Sequence, residues 1–290
     1  MAGRGGVIND TKTGNLTWDG LVPPQCQPNP SIFRLSANLT WVLAHEPLHA
    51  DIDYNKTNGI GPGMAFANTV LTKDPTIGAM GLVPCAIGGT NISQWAKGGF
   101  LYDQLVRRTR TALISGVLRT MLWYQGESDT INKEADSYTG RLEKFFMEVR
   151  DNLQYPMLPI IQVAQASGEG PFTETIRKAQ LGINLPNVQC VDAKGLPLEP
   201  DRLHLTTPAQ GTERVNEEAI ETKVETEDYR SPAGHDEPTK EKVGVVHLTR
   251  KNRESGTGDG LLGRTTAAVT NTIKSAKDAI LGRGKKNSSN

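Results

Sequence analysis

The feature that most constrains this chain is where its aromatic residues lie. It has six Phe, six Tyr and four Trp, and all but Tyr229 fall before residue 211. Large rings dominate core burial, so a stretch nearly without them can hardly bury enough surface to offset chain entropy. The charge pattern changes at the same place. Residues 213–237 carry nine acids against three bases, and residues 240–290 carry eleven bases against four acids. Such charge blocks among Ser, Thr, Gly and Pro read as disordered. The sequence predicts a folded domain over 1–210 and a charged, low-complexity, largely disordered tail over 211–290.

Within 1–210, short apolar runs alternate with helical patterns. Ile77–Val83, Leu118–Tyr124, Leu158–Ala164 and Val188–Val191 are near-continuous apolar runs ended by turn residues, as expected of parallel strands buried on both faces. Between two of them, Tyr138, Leu142, Phe145, Phe146, Val149 and Leu153 recur at three- and four-residue steps, which predicts a helix within 131–153. Alternation of this kind implies an α/β layered fold with its ligand site at the carboxyl ends of the strands.

The remaining global features mostly exclude. Lys plus Arg and Asp plus Glu are both 32, so no basic excess points to a nucleic-acid partner. Cys26, Cys85 and Cys190 lie far apart, form no metal-type pair and suit a reducing compartment. No apolar run approaches the roughly 18–20 residues of a membrane span, and Met1–Gly6 offers no apolar signal segment. The expectation is a cytoplasmic protein.

Three polar clusters follow predicted strands. Cys85-Ala-Ile-Gly88-Gly89-Thr90-Asn91 offers paired glycines whose N–H groups suit an oxyanion, or else a tight turn leading to Ser93–Trp95. Trp123-Tyr-Gln125-Gly126-Glu127-Ser128-Asp129 gathers an amide and an acid on a glycine turn, with Asp129 also suited to cap the following helix. In Asp201-Arg-Leu-His204-Leu-Thr-Thr207-Pro208, the Asp can hold the imidazole in one tautomer, leaving the other nitrogen as general base. Thr206 or Thr207 would cap a helix beginning at Pro208. His45-Glu46-Pro47-Leu48-His49 matches the zinc-protease pattern literally. That chemistry needs both histidines on one continuous helix, and Pro47 opposes one.

Taken in order, Met-Ala-Gly-Arg-Gly-Gly, Val-Pro-Cys-Ala-Ile-Gly-Gly-Thr, Trp-Tyr-Gln-Gly-Glu-Ser-Asp and Asp-Arg-Leu-His-Leu-Thr resemble blocks of a known family. It is the plant carbohydrate esterases of the sialate O-acetylesterase-like group, within the SGNH/GDSL hydrolase superfamily. The resemblance covers about 1–210 and implies a three-layer α/β/α sandwich with a mostly parallel sheet. It implies removal of acetyl groups from carbohydrate esters by a serine-hydrolase mechanism, with no metal or organic cofactor. By position, His204 resembles the general base and Asp201 its partner, while Gly88, Gly89 and Gln125 resemble the oxyanion donors. Glu127 is a site acid that could orient His204 in place of Asp201.

The resemblance also sets expectations of absence. The family nucleophile lies in a Gly-Gln-Ser-Asn block immediately before Met-Ala-Gly-Arg-Gly, and this sequence opens at that Met. A domain lacking the serine, the first central strand and most of its last helix is expected to be weakly active or inactive. The other reading is a non-catalytic carbohydrate-binding pseudo-esterase, or a stress-type protein acting through its tail. In that tail, Val269, Ile273, Ala276 and Ile280 would share one face of a helix over 265–281, suited to a membrane surface or a partner.

Overall fold

The structure is a computed structural model that describes residues 1–10, 12–131, 133–210, 219–230 and 239–250. These belong to one of two units, Met1–Lys251. The predicted helix over 265–281 lies outside the described residues.

The expected α/β alternation is observed, with its strands divided between two three-stranded sheets. In the first, β3 (Ile32–Leu35) is central, antiparallel to β4 (Trp41–Leu43) and parallel to β5 (Met80–Leu82). In the second, β6 (Met121–Trp123), β7 (Ile160–Ala164) and β8 (Val188–Asp192) run parallel in that order. β5 and β6 each form the edge of their own sheet. A small hairpin, β1 (Val7–Asn9) with β2 (Leu16–Trp18), precedes both.

The helix predicted within 131–153 is α3 (Tyr138–Leu153), preceded by two 3-10 turns over Glu127–Ile131 and Lys133–Ser137. All six residues of its predicted apolar face are buried. They pack with α2 (Phe100–Ala112), α4 (Thr173–Leu181) and β6 in the main core. Trp123 sits at its centre, edge-on to Trp95 at 5.2 Å and 4.5 Å from Phe145 between ring centroids. Aromatic pairs in such geometry contribute about 0.5–1.5 kcal/mol beyond their buried area. A second core joins β3 to α1 (Pro62–Lys73) through Ile32, Ile60, Met64 and Ala67. Pro62 at the first turn of α1 suits a position whose N–H has no helical acceptor. Among the described residues no helix is long and apolar enough to cross a membrane.

Inside the stretch expected to be largely disordered, β9 (Ala219–Arg230) and β10 (Thr239–Arg250) pair antiparallel. A period-two pattern accounts for the pairing. On β9, Ile220, Thr222, Val224 and Thr226 alternate with charged positions, while β10 carries the β-branched run Val243, Val245 and Val246 without that alternation. The register sets Val224 opposite Val245, Thr226 opposite Val243 and Glu227 opposite Lys242.

Candidate active site

The three sequence clusters meet in one cleft. Gly88, Gly89, Gln125, Glu127 and His204 all line it, together with Met1, Ala2 and Gly3. The strand ends explain the convergence: β5 leads into the glycine loop, β6 into Gln125–Glu127, and the loop after β8 carries Asp201 and His204.

That last loop is closed by a bridge between Leu198 and Leu205, and by the Glu199 N–H donating to the His204 carbonyl at 2.7 Å. Within it, Asp201 Oδ1 accepts the N–H groups of Leu203 and His204 at 2.9 and 3.0 Å, and Oδ2 lies 2.5 Å from His204 Nδ1. Partial burial would raise the Asp201 carboxyl, but these bonds outweigh it and hold the group below its ordinary range. With Nδ1–H donating to the carboxylate, Nε2 is left as the basic nitrogen. Glu127 makes no hydrogen bond to the imidazole but lies close enough to feel its charge. Burial raises its own carboxyl, opposed by the Met1 amine and by His204. The predicted cap is also found: Thr206 Oγ1 accepts the Ala209 N–H ahead of the short α5 (Thr207–Gln210).

Gln125 is buried, and its amide group is already engaged. Nε2 donates to the Thr90 carbonyl at 3.0 Å and to Asp129 Oδ2 at 2.5 Å. The expected oxyanion donor is thus placed as a strut under the glycine loop. Asp129 differs from expectation too. Its carboxylate receives the Ile92 N–H, at the first turn of the 3-10 segment Ile92–Trp95, instead of capping its own helix. Asn91 and Gln94 complete a capping box there, so the turn alternative holds for that part of the cluster.

The paired glycines are not equivalent. The Gly88 N–H donates to Asp53 Oδ2 at 3.0 Å, which takes it out of the donor set that both glycines were expected to form. Gly89, at φ +67°, donates its N–H to no partner among the described residues and remains the available donor. Cys85 at the head of the loop is no thiolate, since burial pushes its thiol up to about 11.

The opening residues form the cleft wall. The Met1 amine donates to the Tyr124 carbonyl at 2.5 Å, and burial lowers its pKa against the pull of Glu127 and Asp53. Gly3 has φ +91°, and a Cβ there would lie 2.8 Å from Gly61 N, so only glycine fits this backbone approach. Gly5 pairs with Ile60 beside it.

The zinc-protease pattern is broken geometrically. Residues 45–53 form turns rather than helix, His45 is exposed, and burial pushes the partly covered His49 down to about 3. Glu46 is buried, accepting the N–H groups of Leu48 and Gly61 at 2.9 and 3.4 Å. Burial raises its carboxyl to about 7. A raised folded-state pKa means that protonation favours folding. This contribution is complete below about pH 4.5 and is lost as pH rises through 7, at a cost of about 3 kcal/mol. Denaturant unfolding at pH 5 and pH 8 should show that loss in the wild type and a much flatter response in Glu46→Gln. Equal pH responses would refute it. Sequence reasoning did not select Asp53 or Lys56, and it read Glu46 only as part of the zinc-protease pattern.

Comparison with known proteins covers the same part of the chain. A family model described as "Carbohydrate esterase, sialic acid-specific acetylesterase" matches residues 1–216. An Arabidopsis thaliana protein named "Probable carbohydrate esterase At4g34215" is 53% identical over 213 residues, covering 72% of this chain and 82% of the relative. The X-ray structure of the Arabidopsis thaliana protein AT4G34215 superposes with a TM-score of 0.71 at 51% identity, covering 74% of this chain and 90% of that one. The crystal structure of NanS, at 18% identity, shares the fold with a TM-score of 0.53, covering 65% of this chain and 85% of that one.

Proposed function

The chain belongs to the sialic acid-specific acetylesterase family of carbohydrate esterases, and on that premise we propose that its cleft binds O-acetylated carbohydrates and is built for their deacetylation. The observation that carries the reading is His204, bonded through Nδ1 to Asp201, lining the same cleft as Gly89. In this scheme Nε2 of His204 takes the proton of an attacking hydroxyl, and the Gly89 N–H receives the developing oxyanion. Collapse of the tetrahedral intermediate expels the sugar oxygen, which takes the proton back from the imidazolium. Asp201 orients the ring and stabilises its charged form. Glu127 lies near the imidazole without a hydrogen bond to it, its carboxyl raised by burial.

These 290 residues supply the base and oxyanion side of that chemistry more fully than the nucleophile side. Ser93 Oγ donates to Asn91, Ser128 Oγ to Glu169 and Ser167 Oγ to the Leu203 carbonyl, at 2.6, 3.0 and 2.5 Å. None of the three is directed at His204. The polypeptide is therefore expected to retain only about 10³-fold acceleration over water, the residue left when a serine-hydrolase triad is broken. Hydrolysis of p-nitrophenyl acetate tests this. Turnover near the ordinary enzyme median of about 10 s⁻¹ would overturn the low-activity reading. Saturable binding of an acetylated sugar with slow turnover would support the pseudo-esterase alternative.

A further inference from the structure

The turn that follows the failed zinc pattern reaches the glycine loop with two side chains. Asp53 is 4% exposed, and its carboxylate receives the Gly88 N–H at 3.0 Å. Three residues on, Lys56 Nζ donates to the Gly88 carbonyl at 2.6 Å. The turn is itself held firmly: the Asp53 carbonyl accepts the Lys56 N–H at 3.0 Å and Asn58 Nδ2 at 3.0 Å, and Asn58 is buried. The loop is fastened on its far side by Gln125 on the Thr90 carbonyl. Both polar groups of Gly88 and the carbonyl of Thr90 are thus taken, and the Gly89 N–H between them is left open.

The Gly88 carbonyl and the Gly89 N–H belong to one peptide group. An ammonium hydrogen-bonded to the oxygen of a peptide draws electron density toward that oxygen, making the N–H at its other end a stronger donor. We infer that Lys56 is a positioning residue that polarises the Gly88–Gly89 peptide and aims its N–H at the oxyanion, with Asp53 fixing the preceding N–H. This rests on the reading of Gly89 as the oxyanion donor. The geometry also accounts for the glycine pair. A Cβ on Gly89 would lie 2.7 Å from Lys56 Nζ, and one on Gly88 would lie 3.2 Å from Asp53 Oδ2 and 3.5 Å from Lys56 Cδ. The lysine arm occupies the space that side chains there would need.

The test uses the full chain, with methylphosphonate as a tetrahedral anion and the Gly89 amide followed by ¹⁵N NMR. In Lys56→Met the amide proton should move upfield, and methylphosphonate affinity read at that amide should fall roughly tenfold. Lys56→Arg should restore most of the affinity. Lys97→Met, which removes a lysine paired with Asp151 outside the cleft, should change little. Because Lys56 is exposed, Tm should stay unchanged in Lys56→Met while residual p-nitrophenyl acetate kcat falls roughly tenfold at constant KM. Wild-type affinity in Lys56→Met, or an equal loss in Lys97→Met, would overturn the role of Lys56 while leaving the esterase reading in place. A Gly89 amide that ignores methylphosphonate in the wild type would overturn both.

Discussion

Extending the chain upstream of Met1 with an apolar strand ending in Gly-Gln-Ser-Asn is expected to raise kcat/KM for p-nitrophenyl acetate by at least about 10³-fold. Two structural facts place such an extension. The Met1 amine lies against the Tyr124 carbonyl, one residue past the end of β6, and Met1 lines the cleft that holds His204. β5 and β6 are edge strands, and residues of both line the cleft of about 2750 Å³. A parallel strand can pair there and end beside His204. The gain should vanish in His204→Ala, because nucleophile and base act as a unit, and it should fall strongly in Asp201→Ala, which removes the carboxylate on Nδ1. In the unextended chain the low-activity proposal requires His204→Ala to cost far less. An extended protein no faster than the original, or one whose gain survives His204→Ala, would sink the assignment of His204 as base.

How much of this was legible in the sequence depended on whether the cause of each feature was local. β5 to β8 were readable as near-continuous apolar runs, although among them only β7 is buried along its length and Leu122 of β6 is exposed. Only their ends moved, as at Ile77, where Asp74 accepts the Thr76 N–H and winds the chain into a 3-10 turn first. β3 was not readable because Arg34 interrupts it. That arginine is nevertheless buried, and its charge is met by Asp51 at 2.6 Å, seventeen residues away. The Asp201–His204 pair spans three residues, so its spacing was visible. The bonds that disqualify Gln125 and Gly88 as donors come from Asp129, Thr90 and Asp53, and the last is 35 residues from Gly88. No spacing rule reports such a bond. The β9–β10 pairing was hidden for another reason: net charge was counted in blocks, and block counting averages away a period of two.

The same contrast between local pattern and distant partner gives the largest expected stability effect. Arg108 on α2 is 5% exposed, and its guanidinium serves three carbonyls: Nε donates to Pro84 at 2.8 Å, Nη1 to Ser36 at 3.0 Å and Nη2 to Leu35 at 2.6 Å. These carbonyls lie just past β5 and at the end of β3, so one side chain ties α2 to the end of β3 and to the end of β5, from which the glycine loop departs. Arginine suits the position because its planar fork offers separate donors in fixed directions, and a lysine ammonium would not span the same three acceptors. Arg108→Met keeps the aliphatic packing and strands the carbonyls. At about 1–3 kcal/mol for each buried acceptor left without a partner, and allowing for relaxation, the domain should lose about 4 kcal/mol. For a domain of this size that corresponds to a Tm drop of about 8–16 °C by calorimetry. Arg108→Lys should recover less than half of the loss. A Tm within about 2 °C of the wild type in Arg108→Met would mean that water replaces the guanidinium at little cost.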